Sequence, residues 1–264
     1  MSGLADLPAL LFGQFSAEQW ALMLAIGLIC GLVHGFIGIG FSLIATPLFA
    51  LLFDFRQAVI LLVLPTLVMI GCTFVAFGRA LDPRAALRRY WPLLAMTPLG
   101  IVAGTRALFS FDPRLLMLML AAVIVAFLVV DRRGRGAVGM IDRHATGFAF
   151  PFGFLAGFCE ATVNVSGPML LIYFLLLDLE ATAIIAIMNC LFLIGKVVQS
   201  GTLLAHGAFD AAVWQAALPL SLAGVATFFI GVRLRDRVDP SRYRGWLKAT
   251  LAAMVLLLVL RVAG

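Results

Sequence analysis

Charge is scarce in this chain. Of its 264 residues only 12% are charged and 63% are hydrophobic, and a mean hydropathy of +1.11 excludes an ordinary soluble domain. Alternation of polar and apolar residues is missing as well, and with it an outer-membrane barrel, because the apolar runs between residues 20 and 262 are continuous. Runs of this kind cross about 30 Å of hydrocarbon as helices, the open structure that satisfies its own backbone in lipid. The opening stretch MSGLADLPALLFGQFSAEQ has no Lys or Arg, whereas a secretory signal begins with basic residues. No cleavage is expected, and the embedded part should begin near residue 20. Cysteines are few: Cys30, Cys72, Cys159 and Cys190 all lie in apolar runs without metal-ligand spacing. Neither a disulfide framework nor a zinc site follows, and no metal or cofactor is implied. The net charge of +6 sits in short loops between apolar segments, where it sets orientation and gives no reason to expect nucleic acid.

What is present is a pattern used twice. GLVHGFIGIGFSLIATPLFALLFDFRQAVI, from Gly31, matches GFLAGFCEATVNVSGPMLLIYFLLLDLEATAI, from Gly153, with Gly31 and Gly35 on Gly153 and Gly157 and Asp54 on Asp178. Farther on, GTRALFSFDP (Gly104 to Pro113) meets GVRLRDRVDP (Gly231 to Pro240), so the offset drifts only from 122 to 127 residues. Such self-similarity divides the chain into a first repeat at 1–131, a basic linker at 132–146 and a second repeat at 147–264. Each repeat reads as a long first segment (20–53 and 147–177) followed by three helices, near 57–78, 90–108 and 114–131, then 181–204, 211–232 and 243–262.

The first segments are too long for one crossing, since 34 residues of straight helix would span about 50 Å. Each is also interrupted, by GIGFS with Pro47 after it and by NVSGP. Arginine placement tests whether they cross or return. With single crossings the arginines divide nine to eight between the faces, which orients nothing; with returning hairpins thirteen fall in the loops at 79–89, 132–143 and 233–244, leaving Arg56, Arg106, Arg114 and Arg261 opposite. The positive-inside rule selects the hairpins and puts the thirteen in the cytoplasm. The expected fold is therefore an all-α integral membrane protein of two inverted repeats, each a broken, re-entrant first segment plus three transmembrane helices, five plus five segments counting hairpin arms. Both termini should lie outside the cytoplasm.

A helix that starts inside the membrane has backbone N–H groups without partners and a partial positive charge, which suits an anion. Candidate tips run from Gly40 to Leu43 and from Val165 to Met169, with Gly38, Gly40 and Gly167 lining the site. Gly31 and Gly35 read as helix-packing glycines. Lys196 is the lone lysine within an apolar run, in NCLFLIGKVVQSG. A charge at that depth costs at least about 2.5 kcal/mol and should face a cavity or partner. Asn189 and Gln199 share its helix face, a set able to hold three oxygens of a sulfonate; the alternatives are snorkelling and an internal pair with Glu160. Glu160, in GFCEATVNVSGP, would repel an anion unless paired or protonated, which makes it and His34 the candidates for a coupling proton. Thr46, Thr162, Asn164 and Ser166 are further donors. Arg106 and Arg233, at matching positions near helix ends, read as interfacial anchors.

These motifs resemble a known family. GLVHGFIGIGFSLIATPLFALL is similar to the G-x-x-x-G-x-x-G-x-G-G-G-x-x-x-x-P-L opening of the TauE/SafE sulfite exporter family, and SGPMLLIYFLLL resembles its second-half G-G-P-P-L-x-x-Y-L-L form. MNCLFLIGKVV follows the family's pattern of Asn and then a basic residue one to two turns on. Phe41 and Ser42 stand where the family usually has glycines, and EATVNV replaces a glycine-rich approach to the second break. The resemblance covers nearly the whole chain. It implies a permease of the bacterial inner membrane for sulfite, sulfoacetate or another organosulfonate, and the substrate-binding set expected from the residues themselves is Gly38, Gly40, Phe41, Ser42, Thr46, Asn164, Ser166, Gly167, Asn189, Lys196 and Gln199. Its partners are then a small anion and the lipid bilayer; import and export, and a homo-oligomer, are all compatible with the layout. Two rivals stay open: an intramembrane serine hydrolase using Ser166 and His206, and an anion channel with the breaks as filter.

Overall fold

A computed structural model describes residues 15–38, 40–77, 88, 90–133, 145–175, 181–235, 237 and 240–263. Helix α1 (Ala17–Ile37) starts at a capping box, Ser16 Oγ accepting from the Gln19 N–H and Gln19 Oε1 from the Ser16 N–H. Then follow α2 (Phe41–Leu52), α3 (Phe55–Phe77), α4 (Trp91–Ser110) and α5 (Pro113–Arg133). The second half repeats that order with α6 (Ala145–Val163), α7 (Gly167–Leu175), α8 (Ala181–Ala205), α9 (Ala211–Leu234) and α10 (Pro240–Ala263). Each expected helix is present within a few residues, and both long first segments are broken where glycine or the SGP sequence interrupts them. Most of the linker expected at 132–146 lies outside the described residues.

Both breaks make hairpins. The ring of Phe15, ahead of α1, lies 5.8 Å from that of Phe53, just past α2, so α2 returns toward the end where α1 begins. In the second half Tyr173 on α7 lies 5.6 Å from Phe152 on α6, and the two helices share a core with Leu93 and Met188. Left-handed backbone permits the first reversal, with φ of 84° at Gly38 and 112° at Gly40, values that a Cβ would strain. In the second, Asn164 takes φ 60°, which asparagine tolerates better than most residues.

Arginines close both ends of the bundle. At one, Arg56 donates through Nε to the Leu108 carbonyl (2.9 Å) and through Nη2 to that of Phe109 (3.2 Å), capping the C-terminus of α4. Arg261 likewise bonds the carbonyls of Ala50 and Phe53 at the end of α2. At the other, Arg235 lies 5.1 Å over the ring of Phe77, the last residue of α3, so the C-terminal ends of α3 and α9 adjoin. Arg106 and Arg233 are exposed near helix ends.

Five of the described helices (Ala17–Ile37, Phe55–Phe77, Trp91–Ser110, Ile187–Ala205 and Ala211–Leu234) are long and apolar enough to cross a membrane. Large apolar side chains such as Ile29, Val75, Leu99, Leu218 and Leu256 are exposed, whereas His34, Glu160, Asn164, Asn189, Lys196 and Gln199 are buried. An apolar exterior over a polar interior is what lipid imposes, since ionisable groups inside a membrane face the bundle and not the hydrocarbon.

Within this arrangement α1 packs along α9, and α6 along α4, through glycine. A Cβ on Gly31 would stand 2.2 Å from the Gly224 carbonyl oxygen, and one on Gly35 2.0 Å from that of Phe228. Across the other crossing a Cβ on Gly153 would stand 2.7 Å from the Leu93 carbonyl oxygen, and one on Gly157 2.1 Å from that of Thr97. In both crossings residue numbers rise together, so each pair of helices runs parallel. These glycines let backbones touch, the membrane form of small-residue packing.

Candidate functional site

The second break holds a closed polar network. Lys196, on α8, is 0% exposed. Its ammonium pairs with Glu160 Oε1 at 2.5 Å, donates to Gln199 Oε1 at 2.8 Å and donates to Asn164 Oδ1. All three ammonium hydrogens thus have oxygen partners. The other Glu160 oxygen, Oε2, accepts from the Ser166 N–H at 3.1 Å and from the Ser166 hydroxyl. That N–H stands at the tip of α7, so the carboxylate occupies the place at a helix start that an anion would take. Asn164 Nδ2 reaches across to Thr46 Oγ1 on α2 at 3.1 Å, which ties the first half into the same network, and Gln199 Nε2 donates to the Glu160 carbonyl at 3.2 Å.

The first break is built to the same plan with neutral groups. The Phe41 N–H, first in α2, donates to His34 Nδ1 at 3.0 Å. Nε2 therefore carries the ring proton and donates to Thr73 Oγ1 at 2.9 Å, while the Thr73 hydroxyl donates to the Met69 carbonyl at 3.1 Å. In both halves, then, one side chain of the incoming helix accepts from an N–H at the returning tip and holds the third helix: His34 with Thr73, Glu160 with Lys196. The tips differ in access. Gly40 supplies no side-chain cap to α2, and no atom stands within 4 Å of where its Cβ would be, whereas a Cβ on Gly167 would meet Met188 and Phe192 at 3.8 Å. Ser42 is half-buried beside Gly40, and Phe41 is buried in the apolar core.

Why a carboxylate sits at one break and an imidazole at the other follows from a difference in helix length. Helix α6 runs six residues past Gly157, whereas α1 runs two past Gly35. The extra residues, Glu160 to Val163, add about one helical turn, partly offset by a returning helix of 9 residues in place of 12. Glu160 is carried on that turn.

The structure brings Thr46, Glu160, Asn164, Ser166, Lys196 and Gln199 together and sets the others apart. Asn189 donates through Nδ2 to the Gly38 carbonyl at 3.1 Å, at the first break. It and Lys196 share a face of α8 but serve different breaks, about 10 Å apart along the axis. The three-donor set expected from that face is thus divided, and each member is engaged by protein oxygens. Thr162 satisfies its own helix by donating to the Phe158 carbonyl at 2.7 Å. His34 joins no bond with the Glu160 network among the described residues. Thr73 escaped the sequence reading, although its spacing of seven from Thr66 puts two hydroxyls on one face of an apolar helix. Both are buried, and Thr66 Oγ1 has no hydrogen-bond partner among the described residues.

A nucleophile and base are not assembled. Ser166 donates to Glu160 in the interior, while His206 is exposed beyond the end of α8, bonded through Nδ1 to the Thr202 carbonyl and stacked on Phe109 at 5.1 Å. Ten residues of helix rise, about 15 Å, separate His206 from Lys196.

With this geometry in place, comparison with known proteins is informative: the family model for the sulfite exporter TauE/SafE matches residues 23–262. Neither a curated protein nor a solved structure matches the chain.

Proposed function

Because the chain belongs to the sulfite exporter TauE/SafE family, membrane transporters and not enzymes, we propose that it carries a sulfur-containing anion such as sulfite, sulfoacetate or another organosulfonate across the bacterial inner membrane. The observation that carries this reading is Lys196, a fully buried ammonium ringed by Glu160, Asn164 and Gln199 beside a helix break. The anion binds near the midplane between the breaks, against the tip of α2 from Gly40 to Leu43 and the ammonium of Lys196. Gly38 and Gly167 leave room for close approach, and Thr46, Asn164, Ser166, Asn189 and Gln199 supply donors once their internal bonds exchange. Glu160 carries the coupling proton. His34 is the second proton-responsive group, because a proton on Nδ1 displaces the Phe41 N–H and frees the α2 tip.

The reading includes the architecture. Residues 1–131 and 147–264 are inverted repeats, which the parallel packing of α1 on α9 and of α6 on α4 supports: α9 starts beside the Arg56 end, since Asp210 and Asp54 line one cavity there, while α4 ends there, with its Leu108 and Phe109 carbonyls on Arg56. The segment at 132–146 is the cytoplasmic linker, and both termini lie outside the cytoplasm. A reporter enzyme active only outside the cytoplasm, fused after Gly264, is expected to be active; activity only when it is fused within the linker would reverse the orientation.

Substrate binding tests the function itself. Sulfite, sulfoacetate, taurine and sulfate are titrated into purified protein, with Lys196→Ala alongside. Sulfite or sulfoacetate should saturate, and the variant should lose about 10- to 100-fold in affinity, the worth of one charge-assisted bond at a buried site. An unaltered affinity in Lys196→Ala would remove the lysine from the site. Gradient-driven counterflow in vesicles separates this carrier from an anion channel.

A further inference from the structure

The Glu160 carboxylate uses the donors that a transported anion needs. Oε2 takes the N–H and hydroxyl of Ser166, and Oε1 takes the ammonium of Lys196. A sulfonate or sulfite offers the same chemistry, a negative charge delocalised over oxygens. Two anions do not share one ammonium and one helix tip without strong repulsion.

We propose that Glu160 is a tethered stand-in for the substrate, so that an anion enters the site only as a proton neutralises Glu160, one proton for each anion. This rests on the anion-carrier reading above and specifies its coupling. Without the proton the site is filled from within, and the transporter is held closed by its own carboxylate. Protonated, Glu160 gives up Lys196 and the Ser166 donors, and the incoming anion takes them; the charge in the site is the same before and after. Departure of the anion leaves the ammonium unpaired, which favours release of the proton and return of the carboxylate. Exchange at the second break thus needs no group beyond the pair itself. Among the described residues the titratable groups beside Glu160 are Lys196 on α8 and Cys159 on its own helix. Helix α7 presents Ser166, α4 presents Thr97 and Ile101 near this turn, and Arg106 on α4 and Arg114 on α5 are exposed.

The test uses methanesulfonate, whose charge is constant near neutrality, and the full-length protein in detergent. In the native protein, calorimetry in two buffers of different ionisation heat should report one proton taken up per anion bound, with affinity falling about tenfold per pH unit wherever that proton is taken up. In Glu160→Gln the internal competitor is gone, so at about pH 8 the variant should bind at least about tenfold tighter than the native protein. A carboxylate that merely positions Lys196 gives the opposite sign, weaker binding in the variant. Tighter binding with proton uptake supports the stand-in; weaker or equal binding in Glu160→Gln, or native binding without proton uptake, overturns it and leaves the carrier reading intact. The native proton count decides the matter if the variant does not fold. No methanesulfonate, sulfite or sulfoacetate binding to the native protein at any pH overturns both.

Discussion

Lys196→Met should lower stability by about 3–5 kcal/mol, because it leaves the Glu160 carboxylate buried without its cation. The double variant Lys196→Met with Glu160→Gln should recover most of that loss. Removing both charges also removes the cost of holding them out of water, and replacing a buried pair with uncharged groups is often close to neutral. Stability and transport should therefore separate: the double variant folds and carries no anion, since its site has lost the ammonium. Unfolding in detergent, read for the native protein, both singles and the double, gives the coupling energy of the pair. The singles should each cost more than the double. If the double is as unstable as the sum of the singles, the two residues do not act on one another and the network around the second break has been misread. Added substrate provides a further check, because it should stabilise Glu160→Gln, whose ammonium has lost its carboxylate, and leave the double variant unmoved.

Much of this arrangement was legible beforehand, for identifiable reasons. Helix count and bounds followed from apolar runs, and the hairpins followed from arginine placement, which reports on the ends of a bundle without any knowledge of its interior. Lys196 announced itself because a lysine in an apolar run is expensive enough to need a partner. Partner identity was harder. A helix sequence states which side chains share a face, as Asn189, Lys196 and Gln199 do, but not which helix stands opposite at each level; α8 passes both breaks, and its polar residues are shared between them. The capping role of His34 was hidden for the same reason, since its partners Phe41 and Thr73 become neighbours only when α1 reverses and α3 packs against it. The extra turn of α6 was hidden too: the offset between the halves rises only from 122 at Gly35 and Gly157 to 124 at Asp54 and Asp178, whereas α6 runs about one turn farther past its glycine than α1 does and carries Glu160 there.

That turn depends on the crossing beneath it, and Gly157→Ala should therefore destroy transport through packing alone. The added methyl would stand 2.1 Å from the Thr97 carbonyl oxygen, and backbone on both sides prevents an easy retreat. Helices α4 and α6 must separate, at a cost of about 1–3 kcal/mol or more, and the shift falls on Glu160, three residues farther along α6. Gly35→Ala, 2.0 Å from the Phe228 carbonyl oxygen, should act in the same way on His34 at the first break. Gly71→Ala and Gly201→Ala supply the contrast, since nothing stands within 4 Å of either new methyl. Those two should be neutral or slightly stabilising, because alanine is the better helix former by about 0.8–1.0 kcal/mol. Unfolding temperature and uptake measured across the four variants distinguish crowding from any general intolerance of alanine: loss confined to positions 35 and 157 is expected, and equal loss at 71 and 201 would contradict the close crossings. The same four variants test how the site is held. Side chains at both breaks take their positions from helices that touch backbone to backbone, so a methyl group with no polar contact of its own is enough to misalign the Glu160–Lys196 pair.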